Sequence, residues 1–246
     1  MRVRSLLQDT WNFFLHQSSN IIFIAVIISC CGQLAIYLLM PNLNDFPQIE
    51  INSISSTIKA TEDITNHQKN LLAATLMTST VINLVSNSLL VGATLKLISA
   101  ITAKKHINPV KAILESFHLF PQLILLVFLI YVVVQLGLFL FIIPGFILAS
   151  FLSLSPVLLV RRNMSTFVFS AMRQSVSLTY RKMNLVLPAI LAWFMSKILV
   201  LLLHILLISY SLIMLTPLLG IISYMMSSIL IIYLYRLNML SSENSQ

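Results

Sequence analysis

The sequence predicts an all-α fold, a polytopic membrane helix bundle in which six transmembrane helices form three hairpins. Hydrophobic residues make up 58% of the 246 positions and charged residues only 9%, whereas a soluble domain has about half apolar and about a quarter charged residues. The mean hydropathy is +0.95. A water-soluble core could not use that much apolar surface, so the apolar segments are predicted to cross a bilayer.

Six apolar segments approach the length of about 20 residues that one membrane span needs. The arm before the first segment contains Arg2, Arg4 and Asp9 and lacks the features of a cleaved signal peptide, so we expect that segment to remain as a membrane anchor. Residues 1–246 are expected to form one integral membrane domain with an outer loop at 41–70. The predicted spans are 20–40, 84–103, 121–141, 144–160, 185–208 and 218–235.

Basic residues are divided unequally between the two sides of the predicted bundle. One side has eleven, whereas the other has only Lys59 and Lys69, both in the long loop beside four acidic residues. Cytoplasmic loops carry the excess of Lys and Arg, so we expect an inner-membrane protein with both chain ends in the cytoplasm. The net charge of +8 then needs no nucleic-acid partner. The eleven residues are Arg2, Arg4, Lys104, Lys105, Lys111, Arg161, Arg162, Arg173, Arg181, Lys182 and Arg236.

The connection between the fourth and fifth spans is the most basic part of the chain. Basic side chains beside a span attract anionic lipid headgroups by roughly 1 kcal/mol each near the surface. Membrane lipids are therefore the predicted partners, and the alternative is that these charges only set the topology. The candidate headgroup contacts are Arg161, Arg162, Arg173, Arg181 and Lys182.

A short amphipathic helix is predicted before each odd-numbered span, at 5–14, 109–118 and 165–180. Such helices lie in the headgroup plane with their apolar side at the hydrocarbon boundary. They would anchor the chain or sense lipid packing, and the alternative is that they seal the cytoplasmic face of the bundle. The residues predicted on the apolar sides are Leu7, Trp11 and Phe14; Val110, Ile113, Leu114 and Phe117; and Val168, Ala171, Met172 and Ser175.

The three amphipathic segments align with one another as an internal repeat. Thr10, Ser116 and Ser175 place a small hydroxyl residue at the same position of each segment. The alignment predicts three units, each an interfacial helix followed by a transmembrane hairpin. The alternative is that any amphipathic helix before a span would align equally well. Three positions further on, the aligned residues are Phe13, Leu119 and Leu178.

Motifs for catalysis are missing from the sequence. It has no zinc-binding helix, nucleophile elbow or phosphate-binding loop, and only five glycines. Cys30 and Cys31 are adjacent within the first span, where we expect them to pack as small apolar residues, and the five histidines do not cluster. We therefore expect no enzyme, no catalytic residue, no cofactor and no metal site.

Polar residues inside the spans are the candidate functional residues, because such groups are costly in lipid and usually face the bundle interior. Lys96 lies about 10 Å from the cytoplasmic end of its span and can extend its ammonium outward. Lys197 lies about 18 Å from that side, near the middle of the bilayer, where it would have a specific partner or pathway role or would bond carbonyls of neighbouring helices structurally. No Asp or Glu occurs in a predicted span. The candidates are Lys197, His204, Lys96 and Gln135.

Several stretches along the whole chain resemble the YciC-type inner-membrane proteins of Gram-negative bacteria. This resemblance implies a six-span cytoplasmic-membrane protein of uncharacterised function, with no active site to transfer. The Pro-Gly turn and the Arg-x-Ser-x-x-Leu motif are also similar to the membrane domain of some bacterial glycerophosphodiester phosphodiesterases. The stretches are Ile143-Pro144-Gly145-Phe146-Ile147, Ser155-Pro156-Val157-Leu158-Leu159-Val160, Ser170 to Thr179, Ala192-Trp193-Phe194-Met195-Ser196-Lys197 and Ile232-Tyr233-Leu234-Tyr235-Arg236-Leu237.

Two functions remain open from the sequence. The first is a non-enzymatic membrane protein that associates with lipid or envelope components through its cytoplasmic helices. The second is a small transporter or flippase-like protein that uses a polar interior around Lys197. A continuous polar cavity reaching Lys197 would favour transport, and a dry packed core would favour the first function.

Overall fold

The structure, a computed structural model, describes residues 3–39, 66–103, 108–161, 168–209 and 216–243. Within these ranges the chain forms nine α-helices and no strand. The helices are α1 (Val3–His16), α2 (Ser18–Leu39), α3 (Asn66–Thr102), α4 (Pro109–Leu140), α5 (Ile142–Leu152), α6 (Ser155–Arg161), α7 (Val168–Arg181), α8 (Met183–Ser209) and α9 (Thr216–Glu243).

Six segments of this structure are long and apolar enough to cross a membrane, which confirms the predicted class of six-span helical membrane protein. Six crossings put both chain ends on the same side of the bilayer. We call that side the terminal side and the opposite side the far side. The six segments are Ser18–Leu39, Ala73–Thr102, Pro109–Leu140, Pro144–Arg161, Met183–Leu207 and Pro217–Leu240.

Two helices are longer than the sequence predicted. α3 begins at Asn66, so the end of the predicted outer loop at 41–70 is helical, while 40–65 lies outside the described residues. α4 begins at Pro109 and continues through Pro121 without a break. The second predicted amphipathic helix is therefore the first part of α4 and not a separate element. Its 32 residues extend about 48 Å, more than the roughly 30 Å of the hydrocarbon core.

α3 and α9 form the centre of the bundle. α3 packs against α2, α4, α6 and α9, and α9 also packs against α1 and α8. Their side chains Leu95, Leu97 and Ile98 on α3 and Ile232 and Leu237 on α9 belong to one core cluster and are essentially inaccessible. The best-buried part of the fold therefore lies where the second and sixth spans meet.

The three aligned hydroxyl residues are all buried. Thr10, Ser116 and Ser175 are 3%, 1% and 0% exposed. α1 packs mainly against α9, and α7 packs against α5 and α6. The first part of α4 lies so close to α3 that a Cβ on Gly92 would be 3.1 Å from the Cβ of Ser116. Small residues thus let each short segment approach a span, as is usual between membrane helices. The threefold repeat itself stays a prediction.

A one-residue corner joins the third and fourth spans. Phe141 is extended, with φ −159° and ψ 146°, and separates α4 from α5. A Cβ on Gly137 would lie 2.8 Å from the Cα of Gly145, and a Cβ on Gly145 would lie 2.6 Å from the backbone nitrogen of Leu138. The predicted Pro-Gly turn is therefore a place where two backbones touch, and only glycine fits there.

The fourth span is broken between α5 and α6, just before Pro156. Pro156 has no backbone N–H, so it cannot donate the helical hydrogen bond to the carbonyl of Leu152 that would help to continue α5 into α6. At the break, the hydroxyl of Ser175 on α7 donates a hydrogen bond of 2.6 Å to the carbonyl oxygen of Phe151, and Thr179 donates a longer one of 3.5 Å. Non-helical backbone at membrane depth is tolerated only where the protein satisfies it, and α7 does so here.

We expect Ser175→Ala to destabilise the protein by about 1–2 kcal/mol, because the Phe151 carbonyl would lose its shorter hydrogen bond at a buried site. Thermal unfolding of the purified protein in detergent measures this difference. Ser177→Ala on the exposed side of α7 is the matched control and should change stability by less than about 0.5 kcal/mol. Equal unfolding temperatures for the two variants would contradict the role of Ser175.

Candidate functional site

Lys197 on α8 contacts α9 through its ammonium group. Its Nζ donates a hydrogen bond of 2.9 Å to the carbonyl oxygen of Ser223 and a short one to the Ser223 hydroxyl. The ammonium also lies 5.5 Å from the centroid of the Trp193 ring, within cation–π range. We call Lys197, Trp193 and Ser223 the lysine site.

A second serine extends the polar contacts of the lysine site. The indole Nε1 of Trp193 and the hydroxyl of Ser227 are 3.4 Å apart, with the indole as donor. Ser227 in turn donates to the carbonyl oxygen of Ser223 at 3.1 Å. Ser223 and Ser227 are one turn apart on α9, and Trp193 and Lys197 are one turn apart on α8. The two helices are therefore joined by matched polar positions.

The lysine site lies in the far-side half of the bundle. Lys197 is ten residues before the end of the span Met183–Leu207, and Ser223 is six residues after the start of the span Pro217–Leu240. At 1.5 Å per residue these positions are about 15 Å and about 9 Å from the far-side ends of their helices. Lys197 is therefore near the middle of its own span, and its ammonium reaches α9 at Ser223.

α8 is at the edge of the bundle. It packs mainly against α9, with small contacts to α5 and α7, and most of its side chains are exposed or half-buried. Its outer surface is made of large aliphatic side chains such as Ile198, Leu201 and Leu202. The lysine site is thus at the seam between a peripheral helix and the centre of the bundle, and not in a channel through the centre.

α9 also makes close contacts with α2 and α3. A Cβ on Gly220 would lie 3.0 Å from the hydroxyl of Ser29. A Cβ on Gly32 of α2 would lie 3.1 Å from the hydroxyl of Ser86 and 3.8 Å from that of Tyr224. Small residues and hydroxyls therefore bring α2, α3 and α9 together.

The other candidates inside the spans are dispersed. His204 is seven residues beyond Lys197 on α8, about 10 Å closer to the far side, and is half-buried. Lys96 is half-buried on α3, six residues before its terminal-side end. Gln135 is on the exposed surface of α4, which corrects the expectation that it faces the interior. The structure therefore groups none of these three with Lys197.

The predicted headgroup contacts are on the terminal side. Arg173 and Arg181 are exposed on α7, and Lys182 is half-buried at the kink between α7 and α8. Arg161 ends α6, and its Nη1 donates a hydrogen bond of 3.3 Å to the carbonyl oxygen of Asn238. Arg162 lies outside the described residues. The described members of the set thus lie at the ends of α6 and along α7.

An ion pair that the sequence did not reveal joins the first and last helices. The Nη1 of Arg236 and the Oδ2 of Asp9 are 3.3 Å apart. The same guanidinium lies 4.8 Å from the centroid of the Phe13 ring. These residues are more than two hundred positions apart along the chain, so no local pattern could indicate the pair. It fixes α1 against the terminal-side end of α9.

Neither a metal site nor a thiol site is visible in the part of the chain that the structure describes. No group of three His, Cys, Asp or Glu side chains is close enough to hold a metal ion there. Cys30 and Cys31 are free and exposed, so the expectation that they pack within the protein is wrong. Both lie on the outer surface of α2.

These features define an integral membrane protein of six helical spans. Short segments pack on its terminal side, and at its edge Lys197 hydrogen-bonds to Ser223. The family model described as "Uncharacterised protein family (UPF0259)" matches residues 1–240. The chain therefore belongs to the UPF0259 family, which is the family of the YciC-type resemblance.

Relatives of similar length carry the same description. A UPF0259 membrane protein of Sodalis glossinidius (strain morsitans) is 33% identical over 242 residues, which are 96% of each chain. A UPF0259 membrane protein of Yersinia pestis (strain Pestoides F) is 30% identical over 243 residues, which are 96% of this chain and 94% of the relative. No solved structure matches the chain. These names describe membrane proteins and state no enzymatic activity.

Proposed function

We propose that the protein is a non-enzymatic bacterial inner-membrane protein that associates with lipid or envelope components through its short terminal-side segments. The observation that carries this proposal is that each segment has one side buried against the protein and another side that exposes large apolar residues. The buried side contains Thr10, Ser116 or Ser175.

α1 exposes Leu7, Trp11 and Leu15, each by slightly more than half of its surface. Water would make such exposure costly, at roughly 25 cal/mol for each Å² of apolar surface. Contact with lipid removes this cost, and Trp is enriched at the boundary between headgroups and acyl chains. The exposed side of α1 therefore supports a location in the lipid boundary.

The other two segments have the same division. The first part of α4 exposes Val110, Leu114 and Phe117, and Phe117 aligns with Trp11. α7 exposes Phe169, Val176 and Tyr180, and Val176 aligns with the same position. Three segments with one buried and one exposed apolar side provide three contacts with the same leaflet.

Charge near the exposed side of α7 indicates which lipids would be preferred. Arg173 and Arg181 are exposed on the same short helix as Phe169 and Tyr180. Amphipathic helices that combine basic and apolar residues bind anionic membranes more strongly than neutral ones. We therefore propose that α7 lies against anionic headgroups.

We expect neutralisation of Arg173, Arg181 and Lys182 to Gln to weaken the preference of α7 for anionic lipid by about fivefold or more. Each basic residue near the surface contributes roughly 1 kcal/mol, which corresponds to about fivefold. The measurement uses Tyr180→Trp as the only tryptophan, with Trp11 and Trp193 replaced by Phe. Its fluorescence quenching by brominated phosphatidylglycerol and brominated phosphatidylcholine is compared in reconstituted vesicles.

Lys111→Gln is the matched control for that experiment, because Lys111 is exposed on a different segment. It should leave the preference measured at α7 unchanged. If the triple substitution also leaves the preference unchanged, α7 does not select lipid by charge, and the proposed association loses its support.

Both chain ends are proposed to be cytoplasmic, because eleven of the thirteen basic residues outside the predicted spans fall on the terminal side. A fluorescent protein that matures only in the cytoplasm should be fluorescent when fused after Gln246. Alkaline phosphatase, which is active only in the periplasm, should be inactive at the same position and active when inserted within 41–60. The reverse pattern would place the terminal side outside.

Transport is the second candidate function, and Lys197 is the observation that favours it. Vesicles containing the protein and fluorescent phosphatidylglycerol should then lose more than half of their fluorescence when dithionite is added outside. Lys197→Leu should abolish the extra loss, and Lys96→Leu, the matched control on α3, should keep it. Wild-type vesicles that stop at half would exclude lipid transport under these conditions.

A further inference from the structure

The ammonium of Lys197 has neutral partners but no carboxylate partner among the residues that the structure describes. Two of its hydrogen bonds go to the carbonyl and hydroxyl oxygens of Ser223, and the Trp193 ring covers another side. The carboxylates whose side chains the structure describes are those of Asp9 and Glu115. Both are on the terminal side, in α1 and the first part of α4.

A cation at this depth favours an anionic partner. A charged side chain inside a bilayer costs several kcal/mol, and such residues usually pair with an opposite charge. Neutral oxygens replace part of the water of hydration but do not cancel the charge. An anion beside Lys197 would do so, and the hydroxyl of Ser223 would be a second donor to it.

The donors of the lysine site suit a carboxylate or phosphate group. Lysine ammonium groups bind such oxyanions as point charges with three donors. Ser223 adds an O–H donor, and the indole N–H of Trp193 is held nearby by its long 3.4 Å contact with Ser227. These donors belong to two helices, so an anion between them would also connect α8 with α9.

The surroundings of the lysine site indicate that the anion belongs to an amphiphile. Ser223 lies about 9 Å from the far-side end of the span Pro217–Leu240. A water-soluble anion would therefore have to enter apolar surroundings to reach it. The edge position of α8 and its exposed Ile198, Leu201 and Leu202 offer a surface along which an acyl chain would lie. Entry from the lipid requires no passage through the bundle.

We propose that Lys197, Ser223 and Trp193 bind the acidic group of an amphiphile in the far-side leaflet. The binding does not depend on the association proposed for the terminal-side segments, and it does not require transport. It goes beyond the transport candidate by naming the chemistry that the lysine site recognises, an oxyanion on an apolar chain.

The test compares two pairs of photoactivatable probes with the full-length protein in phosphatidylcholine nanodiscs. The first pair is a diazirine fatty acid and its methyl ester, and the second is diazirine phosphatidylglycerol and diazirine phosphatidylcholine. Mass spectrometry quantifies the labelling of α8 and α9 near Lys197. We expect the acidic probe of at least one pair to label these helices about fivefold more than its uncharged or zwitterionic match.

The variants assign the preference to the lysine site. Lys197→Met should abolish it, Lys197→Arg should keep it, and Lys96→Met, the control lysine on α3, should also keep it. Ser223→Ala should reduce it by a smaller factor. If Lys197→Met does not fold, the comparison of charged and uncharged probes on the wild-type protein still decides whether an acidic group is recognised.

Each outcome has a definite meaning. Preference for the fatty acid alone or for phosphatidylglycerol alone supports the lysine site and identifies the source of the oxyanion. Equal labelling by the members of both pairs overturns the proposal. A preference that survives Lys197→Met but disappears in the variant lacking Arg173, Arg181 and Lys182 also overturns it, and assigns the recognition to α7 instead.

Discussion

The need to satisfy every backbone polar group within the hydrocarbon core governs this fold. A helix satisfies its own groups, which is why the described spans are helical apart from the break before Pro156 in the fourth. At that break, Ser175 of α7 supplies the hydrogen bond to the Phe151 carbonyl from outside the span. The fourth span therefore depends on α7, a short terminal-side helix outside it, for part of its backbone hydrogen bonding.

The bundle has a closely packed centre and a separate edge. α2, α3 and α9 approach closely through Gly32, Ser86 and Gly220, leaving little room for lipid or water between them. α8 meets α9 through longer side chains, chiefly Lys197 and Trp193. Small residues let the central helices approach closely, whereas the seam between α8 and α9 is bridged by these two long side chains, which hydrogen-bond to serines of α9.

The number of spans was predictable, because apolar length and the positions of charges are local properties of the sequence. The faces of the short segments were less predictable. Trp11 and Phe117 face outward while Thr10 and Ser116 are buried, because membrane helices pack through small residues and leave large apolar ones to lipid. Gln135 was misplaced because polarity alone does not tell which side of a helix meets the bundle. Contacts such as Arg236 with Asp9 depend on the assembled fold and leave no local signal.

The charged residues in the two halves of the protein have different kinds of partner. On the terminal side, Arg236 is paired with Asp9, and exposed arginines such as Arg173 can reach headgroups and water. On the far side, Lys197 has only hydroxyl, carbonyl and ring partners among the described residues. A cation that water can reach is inexpensive, but one held within the bilayer needs a partner in the membrane. The terminal-side charges therefore need no partner within the bilayer, whereas Lys197 does, and that is why its chemistry would be specific.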